Sequence, residues 1–216
     1  SIKAMARELS VKDLFKDKNT ISEIQSKLPR LFRIAEIESS RAGKIGMEVG
    51  SLREKVIGGL LIYKFGESNV NTEIPITESE TDVIVNRENL SIKTITKNGG
   101  VKAVWTVDAE SSKNFIDNYA PKCNILLIQI WWGEDKNSFF FIPLEVQKEI
   151  FSALGKEKYL KMPKAGTNPR GVEFSKEVIH RMLQHPKTLK IKVNWIKQDI
   201  PYNVYKRWVD FWAEQL

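Results

Sequence analysis

Asp82, Ser91 and Lys93 combine an acid, a hydroxyl and an amine at spacings that bring them together if the chain folds as a hairpin. Residues 81 to 85 and 90 to 96 are rich in Val, Ile and Thr, while Asn86-Arg87-Glu88-Asn89 between them is turn material. A four-residue turn that closes Val85 opposite Leu90 pairs Asp82 with Lys93, with Cβ atoms about 5 Å apart. The side-chain period of two sends Asp82, Ile84, Ser91, Lys93 and Ile95 to one face. Such a pair either works on a bound group or is a solvated cross-strand ion pair worth roughly 0.2–1 kcal/mol. The rest of the chain has to decide between these.

Composition narrows the chemistry. The 216 residues suffice for one sizeable core, and 28% charged with 42% hydrophobic residues is the profile of a folded domain. Lys and Arg exceed Asp and Glu by 34 to 27, and a net charge of +7 admits a polyanionic partner. The lone Cys123 excludes an intramolecular disulfide framework and a thiolate zinc cluster. With only His180 and His185 as imidazoles, catalysis falls to carboxylates, lysine or hydroxyls. No run is long enough for a membrane span and no start resembles a signal peptide, so a cytoplasmic location is expected.

The elements that position these groups follow from periodicity. Ser10 and Thr20 precede apolar helical spacings, and Pro29 stands where a third helix would open. Arg41 to Gly50 then carries three of the chain's glycines, with Arg41, Lys44 and Met47 among them. On a nucleic acid this loop sets cations on phosphates while Met47 wedges between base steps; otherwise Met47 tucks into the core. A helix from Ser51 through Phe65 reads as buried nearly all round, with Gly58-Gly59 suggesting close packing. Ser51 and Glu54 have capping-box spacing, yet Glu54 also extends the inward stripe of Ile57 and Leu61 toward the sheet. Strands are expected over 101 to 107, 124 to 132 and 139 to 144, and helices from Asp108 to Asn118 and from Glu145 to Leu154. Lys156 to Arg170 concentrates cations with Thr167, Asn168 and Arg170; Lys161, Lys164 and these three suit phosphate and base-edge contacts, or form a solvated basic loop. Helical residues 174 to 184, a strand over 188 to 196 and a final helix striped by Tyr205, Trp208, Trp212 and Leu216 complete the chain; an aromatic stripe of that kind is usually core, less often a dimer face.

The order of parts, an early-helix Glu, a strand Asp, a second strand bearing Ser-x-Lys, then a helix and a central apolar strand, resembles the PD-(D/E)XK nuclease fold. Across the chain it is similar to type II restriction endonucleases, and within them to a cutter of CGCG sites. The resemblance implies an α/β fold, a mixed central β-sheet flanked by helices with an N-terminal helical region. It implies one domain over 1–216, with the catalytic core in 51–144. By the same resemblance Asp82 matches the motif aspartate, Lys93 its lysine and Glu54 the early-helix acid. Ser91 stands where an acid usually does, and Thr81 where a proline does. Relatives with Ser-x-Lys recruit the missing carboxylate from the following helix, which nominates Glu110 or Asp108.

Phosphodiester hydrolysis needs an activated water, charge neutralisation on the phosphate and a stabilised leaving oxygen. Mg²⁺ takes one or two carboxylates plus waters and phosphate, which Asp82 with Glu54 or Glu110 would supply, and Lys93 would hold the attacking water. The expectation is a Mg²⁺-dependent, sequence-specific cutter of double-stranded DNA, acting as a homodimer on a palindrome. Two other readings stand beside it: a structure-specific nuclease such as a junction resolvase, and a non-catalytic basic DNA-binding protein.

Overall fold

The structure, a computed structural model, describes residues 9–106, 108–162, 164–166 and 170–215. After a 3₁₀ turn at Val11–Phe15, helix α1 (Lys18–Ser39) leads to a small hairpin, β1 (Ser40–Arg41) and β2 (Lys44–Ile45), and then to α2 (Val49–Phe65). Strands β3 (Val70–Asn71), β4 (Val83–Val85), β5 (Glu88–Thr96) and β6 (Lys102–Val104) precede α3 (Ala109–Asp117). Strands β7 (Asn124–Ile130) and β8 (Asp135–Ile142) are followed by α4 (Leu144–Leu154), α5 (Lys156–Tyr159), β9 (Leu160–Lys161), β10 (Val172–Phe174), α6 (Lys176–Gln184), β11 (Leu189–Asn194) and α7 (Lys206–Ala213).

Six strands form the central sheet in the order β11-β8-β7-β5-β4-β3. Strands β5 and β7 are parallel, joined by a crossover that includes α3, and the other neighbours are antiparallel. This is the mixed, helix-flanked sheet expected. The alternation of β7 divides its side chains between two cores: Leu126, Ile128 and Ile130 face the side of α1 and α2, while Ile125 and Leu127 face the side of α4 and α6.

Several boundaries differ from the sequence reading. Pro29 opens no helix; it lies inside α1, because the buried stripe Ile24, Leu28, Phe32 and Ala35 runs past it unbroken and packing outweighs the lost backbone bond. The cap of α1 is Asp17, whose carboxylate accepts from the Asn19 and Thr20 amides, and not Thr20. Helix α2 begins at Val49, so Ser51 is interior and forms no capping box. Nor is α2 buried all round: Arg53, Ile57, Leu61 and Phe65 form its one buried line, and nothing packs within 4 Å of where a Cβ would stand at Gly58 or Gly59. Residues 135 to 137, read as loop, belong to β8 through their pairing with β11.

One buried carboxylate ties three elements together. Glu36, 1% exposed, accepts from Arg53 Nη2 on α2 at 3.2 Å and from Trp132 Nε1 beyond β7 at 2.7 Å, with Arg33 at 3.5 Å. Arg53 adjoins Glu54, so this contact sets where the start of α2 sits on the sheet. Glu36→Ala leaves the buried guanidinium of Arg53 without its counter-charge and is expected to cost about 3–5 kcal/mol in urea denaturation. A loss below about 1 kcal/mol would show that Glu36 is not what holds α2.

Candidate active site

Residues Asn86 and Arg87 both lie in the left-handed region, at φ 45° and 68°, and make a two-residue turn. The four-residue turn is therefore corrected: Glu88 and Asn89 join β5, and the register is Val83↔Leu90 and Val85↔Glu88. Glu88 tolerates the strand because its carboxylate is bonded by the Val11 amide at 3.2 Å and by Asn124 Nδ2 at 2.9 Å. The slip is two residues, so no side chain changes face. Asp82 lies across from Ser91 instead of Lys93, and Lys93 is its diagonal neighbour.

That register gives each group a defined task. Asp82 Oδ2 accepts the Ile92 amide at 2.6 Å and the Ser91 hydroxyl at 3.2 Å, while Oδ1 has no hydrogen-bond partner among the described residues. Ser91, where the motif has an acid, thus orients the aspartate. The Lys93 amine donates to the Lys102 carbonyl at 2.6 Å and lies 5.8 Å from the Phe174 ring, so β6 and β10 fix its direction. Burial pushes the Lys93 amine below the usual lysine range, opposed by Asp82, Cys123, Glu80 and Glu54. Burial also raises Asp82, opposed by the Ile92 amide, Lys93 and Ser91.

A cleft of about 250 Å³ is lined by Glu54, Glu80, Asp82, Ser91 and Lys93, and by Gly50 and Trp105. Glu54 keeps more than a third of its surface as a residue, yet its carboxyl is pushed up to about 7, first by burial and then by the charge of Asp82. Glu80 is the acid that the sequence reading missed. It lies in a polar stretch without periodicity, two residues before Asp82, and burial raises its carboxyl against the pull of Lys122 and Lys93. Residues 79–80 form a turn, so no strand parity points to it. The structure does not bring Glu110 to the cleft: it is exposed in the first turn of α3, and neighbouring Asp108 caps that helix by accepting the Ser111 amide.

Of the residues expected at DNA, Arg41, Lys44 and Met47 are exposed, Met47 at 98%. The reading of Met47 as a core residue is thereby set aside. Gly46, bonded through its amide to the Ser39 carbonyl, has no room for a side chain, since a Cβ there would stand 2.6 Å from that oxygen. It turns the chain from the hairpin into α2, and Met47 projects at the turn. Lys161 pairs with Glu173 at 3.5 Å and borders a second groove that shares Ile95, Gly100 and Val101 with the cleft. Lys164 and Arg170 are exposed on the same basic segment, while Thr167 and Asn168 lie outside the described residues.

The fold is that of a restriction endonuclease. A solved structure described as a restriction endonuclease in complex with substrate DNA superposes with a TM-score of 0.85 at 50% identity, covering 94% of this chain and 99% of that one. A family model described as restriction endonuclease ThaI matches residues 14–214, and the chain belongs to that family. It is accordingly a site-specific deoxyribonuclease, which sets aside the non-catalytic reading. The chain has no significant match among curated proteins. Among the described residues no helix is long and apolar enough to cross a membrane.

The partly desolvated carboxyl of Glu54 has a signature in stability. The folded chain holds its proton up to about pH 7, whereas an unfolded glutamate releases it near 4.5. Folded-state protonation therefore exceeds unfolded-state protonation between those values, and stability is lost as pH rises through the window. Glu54→Gln is expected to match the parent near pH 4.5 and to exceed it above pH 7, by about 1 kcal/mol after allowing for solvent screening at this open position. Equal denaturation midpoints at both pH values would show that the carboxyl is freely solvated.

Proposed function

We propose that the cleft is a PD-(D/E)XK site in which Glu54 and Asp82 hold Mg²⁺ and Lys93 serves the attacking water, cutting both strands of a short palindromic site. The observation that carries this is the convergence of two carboxylates and a directed amine on one cleft, with the two acids close enough for Asp82 to raise the carboxyl of Glu54. Their fit to the ion is chemical: two hard oxygen donors leave the remaining positions to water and phosphate, as Mg²⁺ prefers. Bound there, the ion would neutralise the scissile phosphate and acidify a water.

The protein's own groups account for the rest. Asp82, fixed through Oδ2, offers Oδ1 without reorientation. Lys93, its proton loosened by burial and its direction set by the Lys102 carbonyl, is placed to hold a water and pass a proton. Ser91 positions Asp82, and Glu80 adds negative charge beside Lys93. Arg41, Lys44, Lys161, Lys164, Thr167, Asn168 and Arg170 are the proposed DNA contacts. Met47 is the proposed wedge, supported by its full exposure on a turn anchored to the helix that carries Glu54. The target CGCG is proposed from family resemblance, together with a homodimer whose subunits each cut one strand.

Asp82→Ala and Lys93→Ala are each expected to lower cleavage of plasmid DNA in Mg²⁺ by on the order of 10²- to 10³-fold or more, with DNA binding in Ca²⁺ retained. Full cutting by either variant would remove the assignment. Met47→Ala is expected to keep the fold and weaken specific binding about tenfold. Unchanged affinity together with unchanged DNA unwinding would eliminate the wedge.

A further inference from the structure

Helix α7 is the one helix of at least eight residues among those described that has no buried residue. Tyr205, Trp208, Val209 and Trp212 are spaced i, i+3, i+4 and i+7 and so share one face, at 71%, 52%, 63% and 91% exposure, with Phe211 beside Trp208 at 58%. Of the two readings of this stripe, core is overturned and a dimer face is left, with Leu216 outside the described residues. An eight-residue helix is marginal in water without a surface to pack on, and this one is tied to its own chain by an ion pair between Arg207 and Glu38 at 3.6 Å. The backbone just before it is anchored by the Tyr202 hydroxyl, which donates to the same carboxylate.

We infer that the apolar face of α7 is where a second copy of this chain docks, an inference that rests on the two-subunit reading above and names its surface. Area is the first argument. The five side chains present roughly 600 Å² of apolar surface, about three quarters of the ~800 Å² per partner of a standard interface. Charge is the second. The cations of α7 are engaged within the chain, Lys206 with Asp210 at 2.7 Å and Arg207 with Glu38, so the open face offers no basic row for a phosphate backbone. Position is the third. Tyr205 and Trp208 share a hollow with Ser40 and Arg41, the base of the hairpin that leads to Met47. A two-fold contact through α7 therefore sets a second hairpin beside the first, over one duplex.

The test is sedimentation of the full chain without DNA at micromolar concentration, for the parent and for Trp208→Ser/Trp212→Ser, with circular dichroism and thermal melting as fold controls. The parent is expected to be a dimer, and the variant to dissociate at least about a hundredfold more readily. The variant's cleavage is expected to shift from double-strand cuts to single-strand nicks. A parent that is monomeric at every concentration overturns both the surface and the two-subunit reading. A variant as dimeric as the parent overturns the α7 assignment alone, and a dimeric variant that has lost DNA affinity assigns the face to DNA instead. Should the double variant melt early, Trp212→Gln decides, because a side chain 91% exposed supports no core.

Discussion

The bond from the Ile92 amide to Asp82 Oδ2, at 2.6 Å, is the contact on which the site depends. It exists because Asn86 and Arg87 accept left-handed backbone, which closes the hairpin in two residues and fixes the register between β4 and β5. Once that register is set, the period of two puts Ser91 against Asp82 and Lys93 on the same face. The parallel pairing of β5 with β7, buried on both sides, then holds the platform rigid. A carboxylate with one oxygen committed to the backbone and the other open is what a coordination site needs, since no rotamer has to be found at the moment of reaction.

The opposing half of the site is delivered by α2, and its place is fixed from behind. Glu36 grips Arg53 within the buried layer, so Glu54, the next residue, is presented from a helix anchored by charge as well as by Ile57 and Leu61. At that same N-terminal end the helix begins at the Gly46 turn that exposes Met47. Seven residues of helix and cap, about 10 Å along the axis, thus connect the proposed wedge to the proposed metal acid. On the proposed reading, distortion of a base step and placement of the scissile phosphate would be coupled through this one helix.

Much of this was legible in the sequence, for reasons that can be named. The face shared by Asp82, Ser91 and Lys93 survived a wrong turn length because an error of two residues leaves the parity of a strand intact. Elements bounded by caps, such as the Asp108 start of α3 and the Gly155 end of α4, fell where the sequence put them. Glu80 was not legible, because no periodicity marks an irregular stretch, and Glu110 was nominated from a helix whose first turn points to solvent instead. Pro29 misled because a local rule yields to a buried stripe on either side of it. The stripe of α7 was seen, but core was ranked above a dimer face, since an apolar face does not say which molecule covers it.

The most direct test is anomalous diffraction at the manganese edge from a crystal of the protein with Mn²⁺ and uncleaved substrate DNA. A peak within coordinating distance of both the Glu54 and Asp82 carboxylates, with the Lys93 amine facing the adjacent water, is the predicted result. A peak held by Glu110, or one that touches neither Glu54 nor Asp82, would contradict the account.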